Sequence, residues 1–266
     1  AKSIQQSLGG IEVIKVENLC KSFGAKVAVN DVSFSVERGE VLGFLGPNGA
    51  GKSTTMRMIT GYYPPTSGRV TIGGFDITEK PLDAKRLIGY LPENAPGYAD
   101  MTVHGFLSFA AELRGLHGDA RKKAVHSAVE MCFLENVLYQ SIDTLSKGYK
   151  HRTCLAQSII HDPDILILDE PTDGLDPNQK HQVRDLIRAM APEKAIVIST
   201  HILEEVEAVR GLLHKSLGSF YAGQLAHLRA LTRGVSRLSE KTRFDYALIP
   251  YLEAVGIHNM AYRSPF

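Results

Sequence analysis

Nine consecutive residues, Gly46, Pro47, Asn48, Gly49, Ala50, Gly51, Lys52, Ser53 and Thr54, have the types and spacing of a phosphate cradle, G-x-x-x-x-G-K-[ST]. Gly46, Gly49 and Gly51 permit backbone conformations closed to other residues, so successive N–H groups can turn toward one anion. A helix opening at Lys52 adds the positive end of its dipole at the same point. The Lys52 ammonium is then placed to reach the terminal phosphates of a nucleotide. Ser53 offers a hydroxyl to Mg²⁺, and Thr54 extends the first helical turn. A glycine-rich turn that binds nothing is the bland alternative. The apolar run Val41-Leu42-Gly43-Phe44-Leu45 before the loop and the helical pattern after it favour the cradle.

A second chemical pair, Asp169-Glu170, follows the apolar run Ile165-Leu166-Ile167-Leu168. Two carboxylates at the C-terminal end of a buried parallel strand lie where open α/β sheets bind their ligands. Asp169 suits Mg²⁺, and Glu170 is the candidate catalytic carboxylate facing a terminal phosphate and its attacking water. An unperturbed glutamate, with a pKa of about 4.3, is a weak base at neutral pH. Glu170 therefore either has a raised pKa and accepts the proton, or chiefly orients the water. The plain alternative is that Asp-Glu caps a helix after Pro171.

These groups need elements to hold them. A first strand is expected at residues 11–16. The alternation of Val32, Phe34 and Val36 with polar residues marks a half-buried strand, and 41–45 is a fully apolar one. A helix follows at 52–60 and ends near Gly61, with Pro64-Pro65 barring continuation. A strand at 68–72, a helix at 82–87 and a strand at 88–91 complete one half. From Pro92 to Asp162 the periodicity is helical throughout, as in Val103, Phe106, Leu107 and Ala110. Strands at 165–168 and 195–199, with helices at 179–190 and 202–209, restore the α/β pattern. A marginal hairpin at 212–222 and a short helix at 225–231 follow, and 232–266 carries little pattern. The expected fold class is α/β: a P-loop NTPase core of mostly parallel strands, with an N-terminal antiparallel β layer and an inserted α-helical subdomain. Residues 1–10 read as a loose leader, 11–92 and 163–225 as the core, 93–162 as the insertion and 226–266 as a short tail.

Bulk properties add exclusions. With 30 basic and 29 acidic residues the formal charge is +1, so no global field advertises nucleic acid as a partner, and none is expected. Cys20, Cys132 and Cys154 are scattered and match no metal spacing. No segment approaches the roughly 18 apolar residues of a membrane helix, so any membrane role requires another polypeptide.

The phosphate loop, Leu145-Ser146-Lys147-Gly148-Tyr149, Ile165 to Glu170, Gly174-Leu175-Asp176 and His201, in that order, resemble the ATP-binding subunit of an ABC transporter over roughly residues 11–225. The text Leu-Ser-Lys-Gly-Tyr-Lys-His-Arg with Gly-Leu-Asp-Pro-Asn-Gln is most similar to bacterial exporter ATPases of the gliding-motility-associated type, whose membrane subunits are separate chains. The resemblance implies binding of ATP and Mg²⁺, ATP hydrolysis coupled to transport, and a peripheral position on the cytoplasmic face of the inner membrane. It also implies a second ATPase copy paired head to tail and a separate integral-membrane permease. Ser146 and the Gly148 N–H would then reach the γ-phosphate of the partner's nucleotide. His201 matches the switch histidine, and Asp176 the loop that couples the two sites. Phe23 matches the aromatic that stacks on adenine, and is equally at home as a core residue. Glu93 stands where the family generally has glutamine, where it either repels the phosphates or ligates the metal; Asn94 offers an amide nearby. Residues 93–102 and helix 103–113 are the expected permease-docking surface, with Tyr98 and Met101 either exposed there or tucked beneath the insertion. Two rival readings are a soluble ABC-type ATPase acting on nucleic acid or ribosomes, and a nucleotide-binding module with impaired hydrolysis.

Overall fold

The structure, a computed structural model, describes residues 12–46, 48–94, 98–200 and 260–265. The leader 1–10, Pro47, His201, the helix expected at 202–209, the hairpin at 212–222 and the helix at 225–231 lie outside the described residues.

Two sheets share one core. The first is antiparallel, in the order β2 (Lys26–Glu37), β1 (Glu12–Phe23), β4 (Ser67–Ile72) and β5 (Phe75–Asp76). The second runs β6 (Ile88–Leu91), β7 (Ile165–Asp169), β8 (Ala195–Thr200), β3 (Glu40–Leu45) and β9 (Met260–Pro265). Its first four strands are parallel, and β9 joins β3 antiparallel.

The apolar runs that make these strands are buried on both faces. Leu42, Phe44, Ile165, Ile167, Ala195 and Val197 pack with the antiparallel layer and with Met56, Met58 and Ile59 of α1 (Lys52–Ile59). The alternate residues, Val41, Leu166, Leu168, Ile196 and Ile198, pack with helices on the other face. Those helices are α3 (Val103–Leu113), α4 (Gly118–Met131), α5 (Lys147–Ile159) and α6 (Pro177–Met190). A two-residue period between two cores is why these strands read as unbroken hydrophobic stretches. Near 25 cal/mol per Å² of apolar area removed from water, this double burial is what fixes the register of the strand ends.

Several boundaries differ from the sequence pattern. The strand expected at 11–16 continues to Phe23, because β1 pairs along its length with β2 and then turns tightly at Gly24-Ala25. The strand β5 and the strand β9 were not expected; β9 lies in the stretch without pattern, and its pairing comes from β3. Helix α5 begins at Lys147, where the Ser146 hydroxyl caps it by accepting from Tyr149 N. Helix α2 (Pro81–Arg86) begins at its proline, the favoured first position. The buried Arg152 of α5 donates to the carbonyls of Cys132 and Phe133 at the end of α4, satisfying groups that the helix terminus leaves open.

Candidate functional site

Parallel register brings the chemistry together. Phe44 pairs with Ser199 and Leu45 with Thr200, while Asp169 pairs with Ser199, so β3, β7 and β8 end at one level. The phosphate loop leaves β3 there, Glu170 leaves β7, and His201 is the next residue after β8. The residue beyond β6 that belongs to this level is Glu93, two positions after Leu91, which pairs with Leu168.

A cavity of about 420 Å³ opens at this level. It is lined by Asn48, Gly49, Ala50, Gly51, Lys52, Ser53 and Thr54 of the loop, by Phe23, Lys26 and Ala28 of the β1–β2 hairpin, and by Glu93 and Glu170. Gly51 has no substitute: its φ is +90°, and a Cβ there would stand 2.4 Å from the Ala28 carbonyl oxygen. The loop is thus pressed against β2. Lys52 is 5% exposed, donates from Nζ to the Gly46 carbonyl at 2.6 Å, and lies 3.8 Å from Glu170 Oε1. The ammonium therefore stands between the loop and the candidate catalytic carboxylate.

Glu170 adopts a left-handed φ of +52°, uncommon outside glycine and a recurrent feature of functional sites. Its N–H is held by the Ser199 carbonyl at 3.2 Å and the Ser199 hydroxyl at 3.1 Å. The same hydroxyl donates to Asp169 Oδ1 at 2.5 Å. Asp169 is fully buried and does not line the cavity, and its Oδ2 has no hydrogen-bond partner among the described residues. A buried carboxylate oxygen without a donor beside a hydroxyl-bearing phosphate loop fits a hard divalent cation.

Phe23 is 46% exposed, which removes the core alternative; it sits at the hairpin tip on the cavity wall. Ser146, Gly148 and Asp176 do not line this cavity. They form a second group where α5 meets α6. Ser146 is exposed at the α5 cap, and a Cβ on buried Gly148 would come within 2.7 Å of Gln179 Oε1. Asp176 caps α6 by accepting from Gln179 N at 2.9 Å. Lys147 bonds Asp173 at 2.7 Å, and that partner, with Glu93 adding attraction, holds the ammonium above its ordinary range. Ser199, Lys26 and Ala28 are site residues that the sequence reading did not single out.

The family model for ABC transporters matches residues 29–173. This chain belongs to the ABC transporter ATP-binding family. Its ABC relatives include YxlF, an uncharacterised ABC transporter ATP-binding protein of Bacillus subtilis (strain 168), 37% identical over 93% of this chain and 84% of that protein. The Nod factor export ATP-binding protein I of Bradyrhizobium diazoefficiens is 35% identical over 90% of this chain and 86% of its own length. Among solved structures, the ATP-binding subunit of an ABC transporter superposes with a TM-score of 0.68 at 31% identity, covering 73% of this chain and 82% of that one. The α/β fold with one antiparallel and one mostly parallel sheet is the fold of these ABC cassettes.

A second concavity, of about 520 Å³, lies on the helical region of this ABC cassette, lined by Tyr98, Phe106, Phe109, Ala110, Leu113, Arg114 and Gln157. Tyr98 is 59% exposed, with its ring 5.7 Å from Phe109 and 6.3 Å from Phe106. Met101 does not line it; it is partly buried and packs against the helical core, so of these two residues only Tyr98 lines the concavity. No helix among the described residues is long and apolar enough to cross a membrane.

Proposed function

We propose that this ATPase subunit binds Mg·ATP in the loop cavity, pairs with a second copy around two nucleotides, and drives a separate export permease from the cytoplasmic face of the inner membrane. ATP hydrolysis that powers transport is the activity of the family. The observation that carries it is the convergence of the loop, Lys52 and Glu170 on one cavity, with the Ser199 hydroxyl bracing both Asp169 and Glu170. The Nod factor export relative supports export as the direction. The signature text at 145–152 supports the narrower gliding-motility-type placement.

In this reading the loop N–H groups and Lys52 bind the phosphates. Ser53 and Asp169 Oδ2 would hold Mg²⁺, with Glu93 as a further oxygen ligand from the cavity wall. Bound Mg²⁺ supplies Lewis-acid neutralisation of the charge that develops on phosphoryl transfer. Glu170 orients the attacking water and takes its proton, and Lys52, 3.8 Å away, keeps the carboxylate and the γ-phosphate from repelling each other unchecked. His201, next in chain after β8, would contact the γ-phosphate. Ser146 and Gly148 do not line their own cavity, which supports their serving the partner's nucleotide, with Asp176 at the seam. The concavity around Tyr98, Phe106, Phe109 and Leu113 takes an apolar cytoplasmic segment of the permease.

Lys52→Ala tests the phosphate assignment. The variant is expected to fold and to lose the rise in melting temperature that Mg·ATP gives the wild type. A rise of wild-type size in the variant overturns it.

A further inference from the structure

We propose that Tyr63, assisted by Lys21, is a positioning residue for the nucleotide base: it holds the Phe23 ring in the stacking orientation from outside the cavity. This rests on the reading of Phe23 as the base-stacking residue. Phe23 lines the cavity and Tyr63 does not. The Tyr63 ring meets the Phe23 ring edge-on, at 5.6 Å between centroids and 76° between planes, the preferred geometry of an aromatic pair. The Lys21 ammonium stands over the Phe23 ring, 5.2 Å from its centroid, and 5.9 Å from that of Tyr63. With the cation over it and the Tyr63 ring packed against it, Phe23 is still 46% exposed on the cavity wall, which leaves ring surface for a base.

Tyr63 is itself held. Its N–H donates to the Arg57 carbonyl at 3.1 Å, the Arg57 guanidinium lies 5.9 Å from its ring centroid, and its side chain packs on the core beneath. Three hydrogen bonds then staple the segment after α1 to the end of β1. Lys21 Nζ donates to the Pro64 carbonyl at 2.7 Å, Ser22 N to Thr66 Oγ1 at 3.0 Å, and Thr66 N to the Cys20 carbonyl at 2.9 Å. A half-exposed aromatic at a hairpin tip would otherwise sample several rotamers and lose that freedom on binding. The chain thereby reads the two ends of a nucleotide with the two ends of one helix. The N-terminus of α1, a helix about 12 Å long, carries the phosphate loop, and the residues leaving its C-terminus orient the base platform.

The test is calorimetric binding to the full chain, with Mg·ATP and Mg·tripolyphosphate, which has no base, as the two probes. Phe23→Ala is expected to weaken Mg·ATP roughly 5- to 150-fold, the range for loss of one aromatic–base stack. Tyr63→Ala is expected to weaken it roughly 2- to 12-fold, the range for loss of an aromatic pair. Tyr63→Phe should bind as the wild type does, the double variant Phe23→Ala/Tyr63→Ala no worse than Phe23→Ala alone, and tripolyphosphate should bind all of them alike. Wild-type ATP affinity in Tyr63→Ala, beside a loss in Phe23→Ala, overturns the role of Tyr63 and leaves Phe23 as the platform. Unchanged ATP affinity in Phe23→Ala overturns the stacking reading itself. An equal loss of both probes in Tyr63→Ala, or a Tyr63→Phe as weak as Tyr63→Ala, overturns positioning through the ring.

Discussion

Truncating Ser199 to alanine removes one hydroxyl that serves two acids. Ser199 is fully buried; its Oγ donates to Asp169 Oδ1 and accepts from Glu170 N, while Asp169 Oδ2 already lacks a partner among the described residues. Glu170 N keeps the Ser199 carbonyl at 3.2 Å, so the loss falls chiefly on Asp169. A hydrogen bond to a charged group contributes about 1.5–3 kcal/mol, and Ser199→Ala should destabilise the nucleotide-free protein by about 2 kcal/mol. For a domain of this size that is roughly 4–8 °C in melting temperature, readable by circular dichroism. The same change should raise the Mg²⁺ concentration needed for half-maximal ATPase activity by about 10-fold or more, the usual result when a group bracing a metal-binding carboxylate is lost. A melting temperature within about 1 °C of wild type, with an unchanged Mg²⁺ requirement, would refute the bracing role.

Two further outcomes are expected. Burial, helped by the positive charges of Arg114 and Lys194, pushes His161 down to about 4, and burial also lowers His151. Above pH 6.5 both folded and unfolded chains hold these rings neutral; between about pH 6.5 and 4 the unfolded chain takes protons that the folded one refuses. Stability is therefore lost as pH falls through that window, by up to about 3 kcal/mol from His161, and His161→Gln should flatten the melting-temperature profile there; an unaltered profile would contradict it. Tyr98→Asp with Leu113→Asp, both on exposed positions of the helical concavity, should leave the isolated subunit folded and strip it from membranes of cells carrying its permease. Full retention in the membrane fraction would sink that docking site.

The phosphate loop and the carboxylate strand were legible because chemistry dictates those residues one by one, and because strands buried on both faces leave unbroken apolar runs. Phe23 was undecided between core and cavity. Its place depends on how far β1 and β2 pair, which register decides and no local pattern reveals. Ser199 was invisible for a related reason: a serine ending an apolar strand looks like punctuation until parallel pairing sets it opposite Asp169. Helix α5 starts inside the Leu145 to Tyr149 text, where Ser146 is a good cap and a glycine is needed because Gln179 and Leu175 press in. The strand Met260–Pro265 shows no alternation; its hydrogen bonds come from β3, a partner more than two hundred residues earlier in the chain. Met101, left open between surface and interior, is partly buried and packs against the helical core.

The central claim, that this chain hydrolyses ATP at Glu170 in a site completed by a second copy, is tested most directly by ATP turnover of Glu170→Gln, with molar mass read by light scattering on the same sample. The substitution keeps size and hydrogen bonding while removing the carboxylate. The predicted result is retained Mg·ATP binding, turnover reduced roughly 100- to 10,000-fold, and a mass shift to dimer that Ser146→Arg abolishes. Turnover of Glu170→Gln at the wild-type rate would contradict the account.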